Sequence, residues 1–332
     1  MVSHDLDRSL GLYPTMMISM GAMIGSGIFV LPALGFKKAG PAVILAYVLS
    51  ALVVLPAALS KAEMATAMPQ AGGTYLYIDR ALGPLFGTIA GIGSWFSLTF
   101  KSAFALAGLG AYLLIPEVIP IGEGLLTPVS LALAGAVVVL NISGTELSGR
   151  VQAVIVTLVL AGLVAYTLNA GVEVNTSSYT PFTTHGSTGV ITAAAFVFVS
   201  FAGVTKIASI AEEVENPGKN LPRAILGSMA IMTLVYIAVV AAIVGLADAE
   251  TLKTGGPGGD SASLTPMADG ADALFGGAGV LIISVIAVVA LTSMANAGVL
   301  STSRFPLAMS RDNLLPPQLD TIDERFGTPR NS

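Results

Sequence analysis

Residues 21–32 read GAMIGSGIFVLP, and they lie in the middle of an apolar run from Leu12 to Phe36 that contains no charged residue. This run of about 25 residues would measure about 37 Å as a helix, which is enough to cross a bilayer. The triplet Gly25-Ser26-Gly27 disfavours an unbroken helix, because each glycine costs about 1 kcal/mol relative to alanine in a helix interior. A break at membrane depth frees backbone N–H and C=O groups, which buried protein, water or a ligand must then satisfy. The triplet alone leaves two interpretations open, close packing of helices on small residues and a break that binds a ligand.

The composition predicts a polytopic helical membrane protein. Of the 332 residues, 54 % are hydrophobic and only 11 % are charged, and the mean hydropathy is +0.82. A soluble domain carries about 25 % charged residues. The absence of cysteine excludes disulfides, thiolate metal sites and cysteine nucleophiles, and the two histidines, His4 and His185, are too few for a catalytic cluster. We therefore expect a protein that is not an enzyme, that lies in the lipid bilayer and that has no nucleic-acid partner.

Eight apolar segments are predicted to span the membrane: 12–36, 41–60, 84–115, 125–141, 150–169, 188–211, 222–247 and 275–303. Lysine and arginine are enriched in cytoplasmic loops. With residues 1–11 inside, the inner side carries ten of these residues: Arg8, Lys61, Arg80, Arg150, Lys219, Arg223, Arg304, Arg311, Arg325 and Arg330. The outer side carries three, Lys37, Lys38 and Lys253. This asymmetry predicts a multi-pass protein of the cell membrane with a cytoplasmic N-terminus.

The sixth span contains a second patch of small residues. Ala202-Gly203 interrupts the bulky apolar run that begins at Thr192, near the middle of the span. Spans one and six are thus the two irregular spans, five apart along the chain. Interrupted segments at corresponding positions of two halves point to the binding site of an inverted-repeat transporter.

Four motifs, in this order along the chain, resemble the amino acid–polyamine–organocation (APC) superfamily of amino acid permeases. The motifs are residues 21–32 in span one; Glu63 with 69–77 (PQAGGTYLY) after span two; 201–203 (FAG), 211–217 (AEEVENP) and 221–223 (LPR) at span six; and Ser303-Arg304, Ala308-Met309, Arg311-Asp312 and Leu315-Pro316 after span eight. The resemblance implies an all-α fold of five plus five spans in inverted repeats, within about twelve spans in total. It assigns 1–11 to the cytoplasmic N-terminus, 12–169 to the first repeat, 188–303 to spans six to eight of the second and 304–332 to a cytoplasmic tail. The last four spans are expected to be missing. Either the chain is a fragment or a separate chain supplies these spans, and the oligomeric state stays open.

An amino acid substrate carries a carboxylate and an ammonium group. Free N–H groups at the start of a half-helix suit the carboxylate, and free carbonyls at the end of a half-helix suit the ammonium. The resemblance implies the same arrangement and places the side-chain pocket against Val199 and Gly203, whose small and aliphatic character favours a neutral substrate. The predicted substrate-binding residues are Ile24, Gly25, Ser26, Gly27, Val199, Ser200, Ala202 and Gly203.

Four further residues are candidates for coupling transport to an ion. Lys101 and Lys206 are charged residues inside spans, and such residues are functional candidates, although snorkelling or internal pairing is the alternative for each. Thr292 and Ser293 offer hydroxyl ligands for sodium, although helix hydroxyls more often bond to their own carbonyls. Some members of the superfamily carry a coupling lysine in span five, which residues 156–159 (VTLV) lack. We expect no cofactor and no bound metal, apart from a coupling proton or sodium ion.

Three carboxylates, Glu212, Glu213 and Glu215, precede Lys219 and Arg223 in an inner loop. A magnesium or calcium site needs more converging oxygens than this loop offers, so we expect a charge network that steadies a gate. The resulting prediction is a secondary amino acid transporter that works by alternating access. The alternative is a truncated, non-transporting permease or an amino-acid-binding membrane sensor.

Overall fold

The computed structural model describes residues 6–115, 123–255, 260–323 and 328–329. His4, Arg325 and Arg330 lie outside the described residues. The described chain is all-α apart from a small hairpin of two strands, β1 (Ile322–Asp323) and β2 (Thr328–Pro329). The helices are α1 (Leu12–Phe29), α2 (Leu31–Ala39), α3 (Val43–Ala67), α4 (Thr74–Leu82), α5 (Pro84–Leu113), α6 (Leu126–Ile142), α7 (Thr145–Glu173), α8 (Gly186–Val197), α9 (Pro217–Leu246), α10 (Ala249–Thr254), α11 (Pro266–Thr302) and α12 (Arg304–Arg311). A 3-10 segment, Phe198–Glu213, continues α8, and shorter 3-10 turns occur at Gly40–Ala42, Glu123–Leu125, Thr176–Tyr179 and Pro317–Leu319.

Seven helical stretches of the described chain are long and apolar enough to cross a membrane. A shorter apolar helix, Thr127–Ile142, falls where the fourth span was predicted. The prediction of a polytopic helical membrane protein is thus confirmed. The predicted eighth span, 275–303, coincides with the part of α11 that follows Gly276, whose φ of 56° and ψ of −149° interrupt the helical geometry, and another helical piece that begins at Pro266 precedes it.

The helix α1 lies inside the bundle and packs against α7, α9, α11 and the 3-10 segment. Every residue from Met17 to Phe29 is buried, on all sides of the helix. A helix that is hydrophobic all round belongs in such a position, because it has no polar face to present to water. The apolar run that contains the glycine triplet is therefore surrounded by protein, and any groups freed by a break in it must find partners among neighbouring helices.

Candidate functional site

The backbone of α1 departs from helical geometry within the glycine triplet. Gly25 has φ −41° and ψ −115°, and Val30, where α1 ends, has φ −128° and ψ −48°. The Val30 N–H donates to the Ser26 carbonyl at 3.1 Å. The following helix α2 then starts with Pro32 in its first turn, a position where the missing N–H of proline is no loss. The helical geometry is thus interrupted at Gly25, inside α1, and again at Val30, between α1 and α2.

Three buried tyrosines bond to carbonyl groups of α1 on either side of Gly25. Tyr236 donates to the Met23 carbonyl at 2.7 Å, and Tyr47 donates to the Gly27 carbonyl at 2.7 Å. Tyr112 donates to the Phe29 carbonyl at 2.5 Å. Carbonyls freed by a kink at membrane depth need such partners, and the phenol supplies a donor on an otherwise apolar ring. Sequence reasoning missed all three tyrosines, although a hydroxyl inside an apolar span was a signal for them.

The N–H of Ser26 faces a weak partner. Ser26 is buried, and its N–H lies 3.4 Å from the Met294 sulphur, while its hydroxyl lies 3.9 Å from the same atom. A thioether is a weak acceptor of hydrogen bonds. The site therefore holds a backbone donor and a hydroxyl that a better acceptor would satisfy more fully.

Span six tightens rather than breaks at the predicted residues. The chain changes from α-helix to 3-10 helix at Phe198, and within this segment the dihedrals leave the helical range only at Ile210 (φ −103°, ψ 16°). Runs of 3-10 helix longer than three or four residues are uncommon and often mark strain or a hinge. The sequence predicted the interruption at Ala202-Gly203, whereas the irregular geometry starts four residues earlier and is greatest seven residues later.

The glycines of spans one and six lie where the two elements touch. A Cβ added to Gly203 would lie 2.6 Å from the carbonyl carbon of Ala22, and one added to Gly27 would lie 2.8 Å from the Cβ of Ser200. A Cβ added to Gly25 would overlap the side chain of Met294. These glycines allow close approach of backbone and side chains, so the packing interpretation of the triplet holds in this conformation.

The structure brings together most of the predicted substrate-binding residues. Ile24 is buried in the core beside the triplet, and the Ser200 carbonyl accepts from Tyr236 at 3.2 Å. Val199 points its side chain outward, 43 % exposed, while its carbonyl accepts from the Lys101 ammonium at 3.0 Å. Gly203 faces the backbone of α1 rather than open space.

Open volume lies beside the 3-10 segment, toward the end that carries Glu212 and Glu213. A cavity of about 400 Å³ is lined by Thr74, Ala90, Gly93, Ser94, Ser97, Leu98, Ala202, Lys206, Ser209 and Phe305. Of the predicted residues, Ala202 and Lys206 border it. Lys206 is only 1 % exposed, and its ammonium has no hydrogen-bond partner among the described residues.

The two hydroxyls predicted for sodium have other partners. Thr292 donates to the Val288 carbonyl of its own helix at 2.8 Å, and Ser293 accepts from the Gln152 side-chain amide at 2.7 Å. Gln152 in turn accepts from Asn296 at 2.9 Å, and Asn296 accepts from Asn141 at 2.7 Å. This buried amide network joins α6, α7 and α11, and sequence reasoning missed it.

The acidic cluster after span six forms ion pairs with partners that the sequence did not suggest. Glu213 makes a two-pronged pair with Arg304 at 2.7 and 2.9 Å, and both side chains are buried. Glu212 pairs with Arg311 at 2.8 Å and also accepts the Leu6 and Ala71 N–H groups at 2.9 and 3.0 Å. The predicted charge network thus exists, but Arg304 and Arg311, rather than Lys219 and Arg223, supply these positive charges.

A second cluster of the same end surrounds Asp312. Its carboxylate accepts from Tyr75 at 2.7 Å and from Arg80 at 3.0 Å. Burial, and after it the contact with Asp312, raises the pKa of Tyr75. In the part of the chain that the structure describes, no group of three or more His, Cys, Asp or Glu residues is placed to hold a metal ion.

Comparison with known proteins identifies the family. The family model described as amino acid permease matches residues 10–332. The chain is 32 % identical to the branched-chain amino acid permease BcaP of Bacillus subtilis and 31 % identical to the methylthioribose transporter of the same organism, over 98 % of this chain and 72 % of each relative. It is 26 % identical to the cationic amino acid transporter 1 of Arabidopsis thaliana, over 99 % of this chain and 56 % of that protein. The chain therefore belongs to the amino acid permeases of the APC superfamily and is a transporter rather than an enzyme.

Proposed function

We propose that this permease moves an amino acid across the cell membrane by alternating access, and that it holds the substrate where the irregular part of α1 meets the 3-10 segment. The observation that carries the proposal is the Ser26 N–H, which follows the irregular Gly25 and lies 3.4 Å from the thioether sulphur of Met294. A substrate carboxylate is a much stronger acceptor than a thioether sulphur. The amides that follow Gly25 also start a helical piece, where the helix dipole favours negative charge.

The ammonium of the substrate is expected at carbonyls of the 3-10 segment. The Val199 carbonyl already accepts from a primary ammonium, that of Lys101. A substrate ammonium has the same donor chemistry, so it is able to take the place of Lys101 at this oxygen or to use the neighbouring Ser200 carbonyl. The carboxylate and ammonium would then lie on α1 and on the 3-10 segment, respectively, and any relative motion of the two elements would act on the bound substrate.

A neutral aliphatic amino acid is the proposed substrate. The lysines of this region, Lys101 and Lys206, would repel a cationic side chain. A relative named as a branched-chain amino acid permease is 32 % identical to this chain, which supports the same choice. The relative named for cationic amino acids is more distant, at 26 %.

The transport cycle is proposed to use two inverted repeats, with the N-terminus in the cytoplasm as the lysine and arginine count indicates. Coupling is proposed to involve a proton carried by Lys101 or Lys206 rather than sodium. The hydroxyl oxygen of Ser293 already accepts from the Gln152 amide, which engages one hydroxyl of the predicted sodium pair, whereas Thr292 donates to its own helix and keeps its lone pairs. A proton gradient should therefore drive uptake more strongly than a sodium gradient.

The test is uptake of labelled leucine into proteoliposomes under an imposed proton or sodium gradient, with binding to the purified protein measured in parallel. Ser26→Pro removes the N–H, and we expect it to abolish leucine uptake and leucine binding at this first site while the protein still folds, because Ser26 follows Gly25, where the helical geometry is already interrupted. Ser26→Ala keeps the N–H and serves as the matched control, with about a tenfold loss or less. Unchanged affinity in Ser26→Pro would contradict the site, and binding without uptake in the wild type would favour the sensor alternative.

A further inference from the structure

The cavity beside the 3-10 segment contains a buried lysine side chain without an internal partner among the described residues. Lys206 reaches it from the segment, 1 % exposed, and its ammonium has no hydrogen-bond partner among the described residues. Burying an unpaired ammonium costs several kcal/mol in general, unless an anion or a set of acceptors compensates it. The contents of this cavity therefore decide whether the charge of Lys206 is tolerated.

The carboxylates nearest along the segment are engaged elsewhere. Glu213 is paired with Arg304, and Glu212 is paired with Arg311 and with two backbone N–H groups. The other cation of this region, Lys101, is bonded to the Val199 carbonyl. Among the described residues, none therefore pairs with the Lys206 side chain, and a ligand that enters the cavity is able to do so.

The lining of the cavity offers further donors. Thr74 accepts a hydrogen bond from the Lys61 ammonium, so its own hydroxyl proton is free to point into the cavity, and Ser94 and Ser97 also line the wall. The volume of about 400 Å³ falls within the range of small-molecule pockets. A site with one cation, several hydroxyls and apolar walls has the chemistry to recognise a small organic carboxylate.

We propose that this cavity is a second binding site for a small carboxylate, with Lys206 as the counter-charge. The carboxylate belongs either to the transported amino acid after it leaves the first site, a source that rests on the proposed function, or to a free organic acid. Ala202, which lines the cavity, adjoins Gly203 at the contact with α1, so the two sites are continuous along the 3-10 segment.

The experiment measures binding to the purified full chain by calorimetry with two probes, 4-methylpentanoate and 3-methylbutylamine. The first is leucine without its ammonium group, and the second is leucine without its carboxylate. We expect 4-methylpentanoate to bind the wild type and to lose about tenfold or more in affinity in Lys206→Met. Binding of 3-methylbutylamine should not fall in Lys206→Met. The matched control is Lys37→Met, which removes an exposed lysine that donates to the Asp260 carbonyl.

The substitution at Lys206 is expected to fold, because it exchanges an unpaired buried charge for an apolar chain of similar length. Thr74→Val replaces a hydroxyl by a methyl group and should also weaken the binding of 4-methylpentanoate. Absence of 4-methylpentanoate binding to the wild type, or equal affinity in the wild type and Lys206→Met, would overturn the proposal.

The two sources separate in the Ser26→Pro background, where the first site is disabled. Competition of leucine with 4-methylpentanoate there assigns the cavity to the transported amino acid, and lack of competition assigns it to a free organic acid. Failure of the proposed function would give a different result. Leucine uptake would then be absent in the wild type or unchanged in Ser26→Pro, independently of the effect of Lys206→Met on 4-methylpentanoate binding.

Discussion

At the scale of the residue, Tyr236 shows how the irregular part of α1 is stabilised. Its hydroxyl donates to the Met23 carbonyl at 2.7 Å and lies 3.2 Å from the Ser200 carbonyl, so that it bridges α1 and the 3-10 segment. Tyr236→Phe would leave a buried carbonyl without its donor, at a cost of about 1–3 kcal/mol. We expect a lower temperature of thermal unfolding in detergent, together with weaker substrate binding.

The matched control for this prediction is Tyr77→Phe. The Tyr77 hydroxyl is buried and has no hydrogen-bond partner among the described residues. Its removal should leave the unfolding temperature unchanged or raise it. If both variants unfold at the same temperature as the wild type, the tyrosine bridge contributes nothing to the geometry of α1.

The sequence predicted the glycine triplet and its serine but not the residues that face them. Gly25, Ser26 and Gly27 are visible because small and polar residues are unusual in the middle of an apolar span. Met294 and Tyr236 lie more than 200 positions away along the chain, and no periodicity connects them to the triplet. Only the packing of α9 and α11 around α1 decides which side chains reach those backbone groups.

At the scale of the element, the contact between α1 and the 3-10 segment depends on the absence of a side chain at Gly203. A Cβ there would lie 2.6 Å from the carbonyl carbon of Ala22 and 2.7 Å from the backbone nitrogen of Met23. Backbone atoms of a buried helix do not move aside as a flexible side chain does. We therefore expect Gly203→Leu to separate the two elements and to reduce binding of large and small amino acids alike.

The measurement compares the affinities of glycine, alanine and leucine in Gly203→Leu with those in Gly135→Ala. Gly135 lies in α6, and a Cβ added there would have no neighbouring atom within 4 Å, so its replacement should be neutral or slightly stabilising. A selective loss of leucine binding, with glycine and alanine unaffected, would show that Gly203 borders the side-chain pocket instead. The family resemblance placed the side-chain pocket against Gly203, whereas in this conformation Gly203 lies against the backbone of α1.

At the scale of the whole molecule, a cluster of ion pairs joins segments that are distant along the chain. Glu213 at the end of the 3-10 segment holds Arg304 at the start of α12, and Glu212 connects Arg311 with the N–H groups of Leu6 and Ala71. The backbone of Leu10 also bonds to Glu213 and Glu215. The sequence placed the carboxylates but not their partners, since Lys219 and Arg223 are the first positive charges that follow them along the chain, while Arg304 and Arg311 pair with them in space.

The Glu213–Arg304 pair provides the test of this cluster, because both side chains are buried and the geometry is two-pronged. Arg304→Met leaves the Glu213 carboxylate buried without that partner, and breaking a buried pair in this way costs about 3–5 kcal/mol. We expect a marked fall in the unfolding temperature and a change in the rate of leucine uptake. Arg150→Met is the matched control, since Arg150 and Glu146 form an exposed pair of the kind that contributes little. The double variant Glu213→Gln with Arg304→Met removes both charges and should recover part of the stability, whereas equal unfolding temperatures of Arg304→Met and Arg150→Met would show that the cluster does not hold these segments together.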